Sequence, residues 1–378
     1  MIPNDVEILK EVRSHRYATP YFFTSRKILE HNYKTFSNMF KDVEVYYALK
    51  ANSDPKILTF LNKIGCGFEA ASIFEIDILL NLGVKPNKII YGTSVKPPKH
   101  ISLAIKAGVD RFAADSHEEL DKIAKHAPSS RVLIRARVND SGSVFTFSER
   151  FGAPIESIKA MVLYAHHLDL KTYGISFHVG SQATQVDRWA TAIASIKPII
   201  EQLMDEGITI DAIDIGGGFP VVYNNHKELP HIENITSNIN KAFKTLPYQP
   251  KIIIEPGRGI VATSTVMVSQ VISRTIRNGK IWLVMDGGIY NCLYEAMIHQ
   301  GTTQYDIRTM VVPKKNTEQL SYALTGPTGD SLDVITRDIT LPSAIAEGDK
   351  LIFENAGAYT ITMANSFNGF PRPELYIN

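Results

Sequence analysis

Eight short apolar runs, rich in Val, Ile, Tyr and Phe, recur through the first two thirds of the chain, at 43–51, 66–72, 88–95, 111–116, 131–138, 171–180, 212–219 and 251–257. Between them lie stretches of helical character, among them SIFEIDILLNL (72–82) and 189–206. Strands that are apolar on both faces cannot leave one face in water, so in alternation with helices they read as parallel strands covered on both sides. Eight β/α units close a barrel, and the count favours that over a doubly wound open sheet. The expected fold class is α/β, a TIM-like (β/α)8 barrel over 25–261.

After about Val261 the texture changes. Stretches 263–273, 280–285, 310–313, 320–325 and 349–354 read as strands, some joined by polar turns such as RNGK (277–280) and AEGD (346–349). Most lack helix-length periodic segments between them, which predicts an antiparallel β domain built from 262–378. TPYFFT (19–24) reads as a short strand able to pair with it, so residues 1–24 are assigned to the same domain.

The chain has 378 residues, 44% of them hydrophobic, enough for a large core. Forty basic residues against 39 acidic ones leave a formal charge of +1, which argues against a nucleic-acid or membrane-surface partner. Two cysteines, Cys66 and Cys292, make neither a disulfide framework nor a metal-ligand spacing, as expected in a reducing compartment. MIPNDVEILK at the start lacks a basic segment followed by an apolar core, and no apolar run approaches the roughly 20 residues of a membrane span. A soluble, cytoplasmic protein is expected.

In a β/α barrel the reactive groups stand at the carboxyl ends of the strands. Here Lys50 ends the first run and Glu69 lies in the end of the second. Arg135 is near the end of the fifth, and His178 ends the sixth. Gly216, Gly217 and Gly218 end the seventh, and Glu255 with Arg258 ends the eighth. The Gly run either makes a tight turn or offers successive backbone N–H groups to a phosphate. A phosphate site with a rim lysine and a rim carboxylate suggests pyridoxal phosphate. An amine forms a Schiff base with its aldehyde, and a carboxylate holds its ring nitrogen protonated. On the residues alone, Lys50 reads equally as a desolvated nucleophile with an accessible neutral amine or as a lysine snorkelling from the barrel mouth.

Seven short motifs follow one another in order. They are YYALKAN (46–52), GFEAAS (67–72), FHVGS (177–181), GGGFP (216–220), EPGR (255–258), GPT (326–328) and FNGF (367–370). As an ordered set spanning nearly the whole chain, they resemble the fold-type III pyridoxal-phosphate decarboxylases that act on ornithine, arginine and diaminopimelate. AYT (358–360) with the downstream FNGF is most similar to the ornithine branch.

By position, the resemblance implies that Lys50 binds the cofactor aldehyde and that His178 stacks on its ring. It gives Glu255 as partner of the ring nitrogen, and Ser181, Gly217, Gly218, Arg258 and Tyr359 as phosphate contacts. Glu69 and Arg135 fall where the family has groups near the cofactor hydroxyl and the lysine linkage; a mutual ion pair is the alternative for both. An acid at Glu255, where the racemase relatives have an arginine, favours decarboxylation over racemisation. The resemblance further implies a head-to-tail homodimer, with Asp330 and Gly329 facing the partner's lysine.

Two departures bear on function. GPTGDS (326–331) keeps Asp330 but has Gly329 where ornithine and diaminopimelate members usually carry a cysteine. Either another group returns the proton, leaving room for a larger substrate, or the chain is a non-catalytic regulator. Tyr294 stands where diaminopimelate decarboxylases have a substrate-binding arginine, which disfavours a substrate with a distal carboxylate. Glu295 and Asp330 could hold a distal amine instead, or Glu295 could be a solvated surface carboxylate. Ornithine or lysine is the simple substrate; the alternative is the amino-acid end of a siderophore or peptide-antibiotic intermediate.

Overall fold

The computed structural model describes residues 6–223, 229–298, 305–310 and 317–378. Eight parallel strands close into a barrel: Glu44–Ala48, Gly67–Ala70, Ile89–Tyr91, Arg111–Ala114, Arg131–Arg135, Lys171–Ser176, Ala212–Asp214 and Lys251–Ile254. The last pairs with the first through Ile253 opposite Glu44 and Ile254 opposite Val45. These strands are shorter than the apolar runs that announce them, because the barrel needs only a few layers of inward side chains. The remainder of each run turns out over the rim. Helix starts are written into the sequence just after the strands. Ser72 and Ser116 each accept a hydrogen bond from the backbone N–H three residues on, capping the helices Ile73–Asn81 and His117–His126.

Tyr46, Ile90, Leu133, Tyr173, Ala212 and Ile253 pack together inside the barrel. At its amino-terminal end Arg111 donates to the Tyr46 hydroxyl, which itself donates to Glu44 at 2.9 Å. The barrel is thus filled with side chains rather than hollow, and its chemistry belongs to the carboxyl-terminal rim.

The β domain orders its strands Ile307–Thr309, Lys350–Phe353, Thr265–Arg277, Lys280–Met285, Gln319–Thr325, Val334–Pro342, with Tyr21–Thr24 and Glu374–Ile377 joined at Thr265–Arg277. The amino-terminal strand pairs as expected, Tyr21 lying opposite Val268. The sheet is mixed, however, rather than antiparallel. Tyr21–Thr24 runs parallel to Glu374–Ile377, and Lys280–Met285 parallel to Gln319–Thr325. Strand direction follows from pairing between distant segments, which local periodicity does not encode. Val334–Pro342 and Glu374–Ile377 escape the sequence reading altogether. Of the strand expected at 310–313, residues 311–313 lie outside the described residues; a strand Ile307–Thr309 precedes them.

One buried charge cluster braces the barrel behind the rim. The Lys96 ammonium, 0% exposed, donates to the carbonyls of Thr93 (2.8 Å) and Ala113 (2.6 Å) and pairs with Glu119 at 2.9 Å. Lys122 reaches Glu119 from the other side at 2.5 Å. Removing one partner of a buried pair leaves an uncompensated charge, so Lys96→Met is expected to lower unfolding free energy by about 3–5 kcal/mol. Denaturant titration checks it; a midpoint unchanged from the parent would contradict this role.

Candidate active site

A cavity of about 380 Å³ opens at the carboxyl-terminal rim. Its wall brings together Lys50, Glu69, Arg135, His178, Ser181, Glu255, Arg258, Glu295 and Tyr359, nine of the sequence-predicted residues. Gly217 and Gly218 line an adjoining recess with Ser181, Arg258 and Tyr359. Gly329, Asp330 and Tyr294 do not line the cavity. Within one protomer Asp330 accepts from the Leu332 N–H at 2.8 Å, and Gly329 faces open space.

Lys50 does not end a strand. It stands on a 3-10 turn, Leu49–Ala51, immediately after Glu44–Ala48. The next turn of chain is locked to the β domain: Asn52 Nδ2 donates to Gly357 O (2.9 Å), and Tyr359 N donates to Ala51 O (2.8 Å). Glycine at 357 lets this loop pass close to the chain leaving the barrel, since a Cβ there would stand 1.9 Å from Val261 O. The two domains therefore place Tyr359 beside Lys50 through backbone contacts.

Lys50 Nζ lies 3.1 Å from Glu69 Oε2. Burial alone pushes the amine towards neutrality, the state expected from sequence. Glu69, Tyr359 and Glu255 outweigh it and raise the pKa above the ordinary lysine value. The structure thus corrects that expectation: Lys50 is held as an ammonium, yet with 45% of its side chain exposed it remains reachable from the cavity. His178 goes the other way. Burial, with Arg135 and Lys50 nearby, holds it well below the usual histidine range, so the ring is neutral. Gly180 N–H donates to Nδ1 at 3.0 Å, which leaves the ring proton on Nε2. Phe147 packs edge-on against the ring, centroids 5.0 Å apart. Phe147 is held by Asp140, whose carboxylate accepts from the backbone N–H of Phe147 and from Ser148 Oγ at 2.6 Å. Arg135 lies over the Phe151 ring at 5.0 Å rather than against Glu69, whose partner is Lys50.

Glu295 is neither a surface carboxylate nor a free anion awaiting a substrate. It is buried and forms a two-pronged pair with Arg258, Nη1–Oε2 2.8 Å and Nη2–Oε1 2.5 Å. Arg258 Nη1 also donates to the Tyr223 hydroxyl at 3.1 Å, and the guanidinium sits 4.7 Å from the Tyr359 ring centroid. The Arg258–Glu295 pairing joins positions 37 apart, and nothing local in the sequence signals it.

Asp214, which sequence reasoning did not single out, lines the cavity as the last residue of its strand and is 1% exposed. Its Oδ1 accepts from Gly216 N–H at 2.9 Å, and its carboxyl shares a side-chain hydrogen bond with Glu255. A signal was available: an acid two residues before a Gly triplet, at a strand end, lies at the barrel rim by position.

Comparison with known proteins follows the same line. Residues 26–262 match the family described as "Pyridoxal-dependent decarboxylase, pyridoxal binding domain". The chain is 34% identical over 337 residues to an ornithine decarboxylase of Schizosaccharomyces pombe, covering 87% of this chain and 76% of the relative. It is 32% identical over 363 residues to a lysine/ornithine decarboxylase of Selenomonas ruminantium, covering 96% and 90%. Among solved structures, the lysine/ornithine decarboxylase of Vibrio vulnificus complexed with cadaverine superposes with a TM-score of 0.88 at 29% identity, covering 98% and 97% of the two chains.

Proposed function

Because the chain belongs to the pyridoxal-dependent decarboxylase family, a set of amino-acid decarboxylases that use pyridoxal phosphate, we propose that it removes the α-carboxylate of a diamino acid such as ornithine or lysine. The observation that carries this is the convergence of Lys50, Glu69, Glu255 and Arg258 on one cavity.

The residues fit the cofactor. Arg258 Nε is buried without a hydrogen-bond partner among the described residues, beside a recess floored by Gly217 and Gly218. A phosphate oxygen would satisfy that donor, and the side-chain-free backbone of Gly217 and Gly218 lines the recess beside it. A Cβ on Gly218, whose φ is +92°, would stand 2.2 Å from Gly180 O. Ser181 and Tyr359 complete the phosphate contacts in this reading.

Bound there, pyridoxal phosphate supplies an aldehyde that condenses with amines and a ring that accepts the electrons released with carbon dioxide. Lys50 Nζ is the protein amine that would hold the aldehyde and give it up to the substrate amine. Glu69, 3.1 Å away, keeps the displaced ammonium in place and takes part in its proton traffic. Glu255 would face the ring nitrogen, and the neutral His178 would cover the ring without adding a competing positive charge. Phe145, Phe147 and Phe151 line the cavity and keep water from the reacting carbon.

Asp330 does not line the rim cavity of its own protomer. In a head-to-tail homodimer it faces the partner's cavity and meets the substrate's distal amine. The cysteine replaced by Gly329 leaves proton return to Lys50, His178 or water. One observation favours a second substrate reading. Glu295 is paired with Arg258 through both carboxylate oxygens rather than held ready for a distal amine, which suits the amino-acid end of a larger molecule.

Carbon dioxide release from a panel of ornithine, lysine, arginine, diaminopimelate and alanine separates the readings. Ornithine or lysine is expected to turn over at roughly 1–10³ per second, the ordinary enzyme range. Release from no free diamino acid would reject the simple substrate in favour of the larger one.

A further inference from the structure

Asp214 is a buried acid for which the mechanism above has no use, and its surroundings give it one. Gly216, with φ +66°, clamps two acids at once: its N–H donates to Asp214 Oδ1 at 2.9 Å and its carbonyl accepts from Glu255 N at 2.9 Å. The side chains of Asp214 and Glu255 are hydrogen-bonded to each other, and a hydrogen bond between two carboxyls requires a proton on one of them. Neighbouring elements add the Lys50–Glu69 pair and Arg135, with the neutral His178 close by. Three carboxyls and two cations thus share one cavity wall, and the two adjacent acids cannot both ionise there.

We propose that Asp214 is a positioning residue that holds the Glu255 carboxyl through a shared proton, fixing both the direction and the protonation of the group that meets the cofactor ring nitrogen. This rests on the assignment of Glu255 to that nitrogen. The shared proton would stay on Asp214, so that Glu255 could meet the ring nitrogen as a carboxylate held in a fixed direction, with only one of the two adjacent acids ionised.

The electrostatics agree. Burial pushes Asp214 up to about 7, and the hydrogen bond from Gly216 only partly offsets it. Burial, then Asp214 and Glu69, raise Glu255 well above the usual carboxylate range, against the pull of Lys50. The sign for stability follows. Groups whose folded pKa is raised stabilise below their unfolded pKa, and that stability is lost as pH rises through the folded value, here between about pH 4 and 7.

The test uses the full chain, stripped of cofactor and titrated with pyridoxal phosphate, as wild type, Asp214→Asn and Glu255→Gln. Asp214→Asn keeps the shape and the Gly216 contact but removes one titrating acid. It is expected to weaken pyridoxal phosphate about tenfold and shift the bound cofactor's absorbance, by analogy with a lost hydrogen bond to a charged group. Its thermal transition should fall less steeply than that of wild type between pH 5 and 8, and should match or exceed it at pH 8. A merely structural aspartate would lose stability at every pH instead. Unchanged affinity and spectrum in Asp214→Asn, with both altered in Glu255→Gln, overturn the role given to Asp214. If Glu255→Gln also leaves both unchanged, the assignment of Glu255 itself is overturned. Should Asp214→Asn not fold, Asp214→Ser carries the same expectations.

Discussion

Lys50→Ala is expected to cut turnover by roughly 10⁴-fold or more, the scale seen when a covalent catalytic group is removed. The variant should still take up pyridoxal phosphate, because the phosphate contacts around Arg258 and Gly218 do not involve Lys50 Nζ. What it loses is the attachment to the aldehyde and the amine that exchanges with substrate. Lys96 offers an internal comparison. Burial lowers its pKa to about 8, which by itself would make it the better nucleophile at neutral pH. It is nevertheless sealed behind the rim with Glu119 and two carbonyls as partners, and it lines no part of the cavity. Access and geometry therefore select Lys50 despite its raised pKa. Steady-state rates together with an absorbance spectrum of the variant check the prediction; retention of more than a few per cent of activity would contradict it.

Glu255→Gln is expected to lower kcat by about 10²–10³-fold, comparable to removing one preorganised electrostatic contact from the reacting charge. An amide cannot take a negative charge, so a ring nitrogen facing it loses the counter-charge that favours its protonated form. Gln fits the same volume, and it removes one of two adjacent buried acids, so the fold should survive with its thermal transition little changed. Activity near the parent level, with the same substrate panel, would show that the carboxylate has no part in the chemistry.

Both residues were legible in the sequence, for a reason that also marks the limit of such reading. An apolar run that ends in Lys50 or Glu255 breaks its own local pattern, and a β/α barrel sends such breaks to one rim. His178, Glu69 and the Gly216–Gly218 run were found the same way. The fold class was legible too, because eight runs alternating with helices leave few ways to cover both sheet faces. Three features were not. The Arg258–Glu295 pair depends on how a loop of the β domain folds over the rim. The coupling of Asp214 to Glu255, which follows the end of the neighbouring strand, joins two rim positions that no local pattern links. The parallel pairing of Lys280–Met285 with Gln319–Thr325 joins segments separated by 34 residues and more, and leaves no local trace. In each case the missing information is a non-local contact. Lys50 illustrates the point at one residue: its position came from the sequence, whereas its charge state is set by Glu69, 19 residues away.

The covalent bond between Lys50 and the cofactor aldehyde is the central claim. Borohydride reduction of the purified protein loaded with pyridoxal phosphate, followed by peptide mass spectrometry, tests it directly. The expected result is one pyridoxyl phosphate adduct, on the peptide bearing Lys50, with Lys96 unmodified. No adduct, or an adduct on any other lysine, would contradict it.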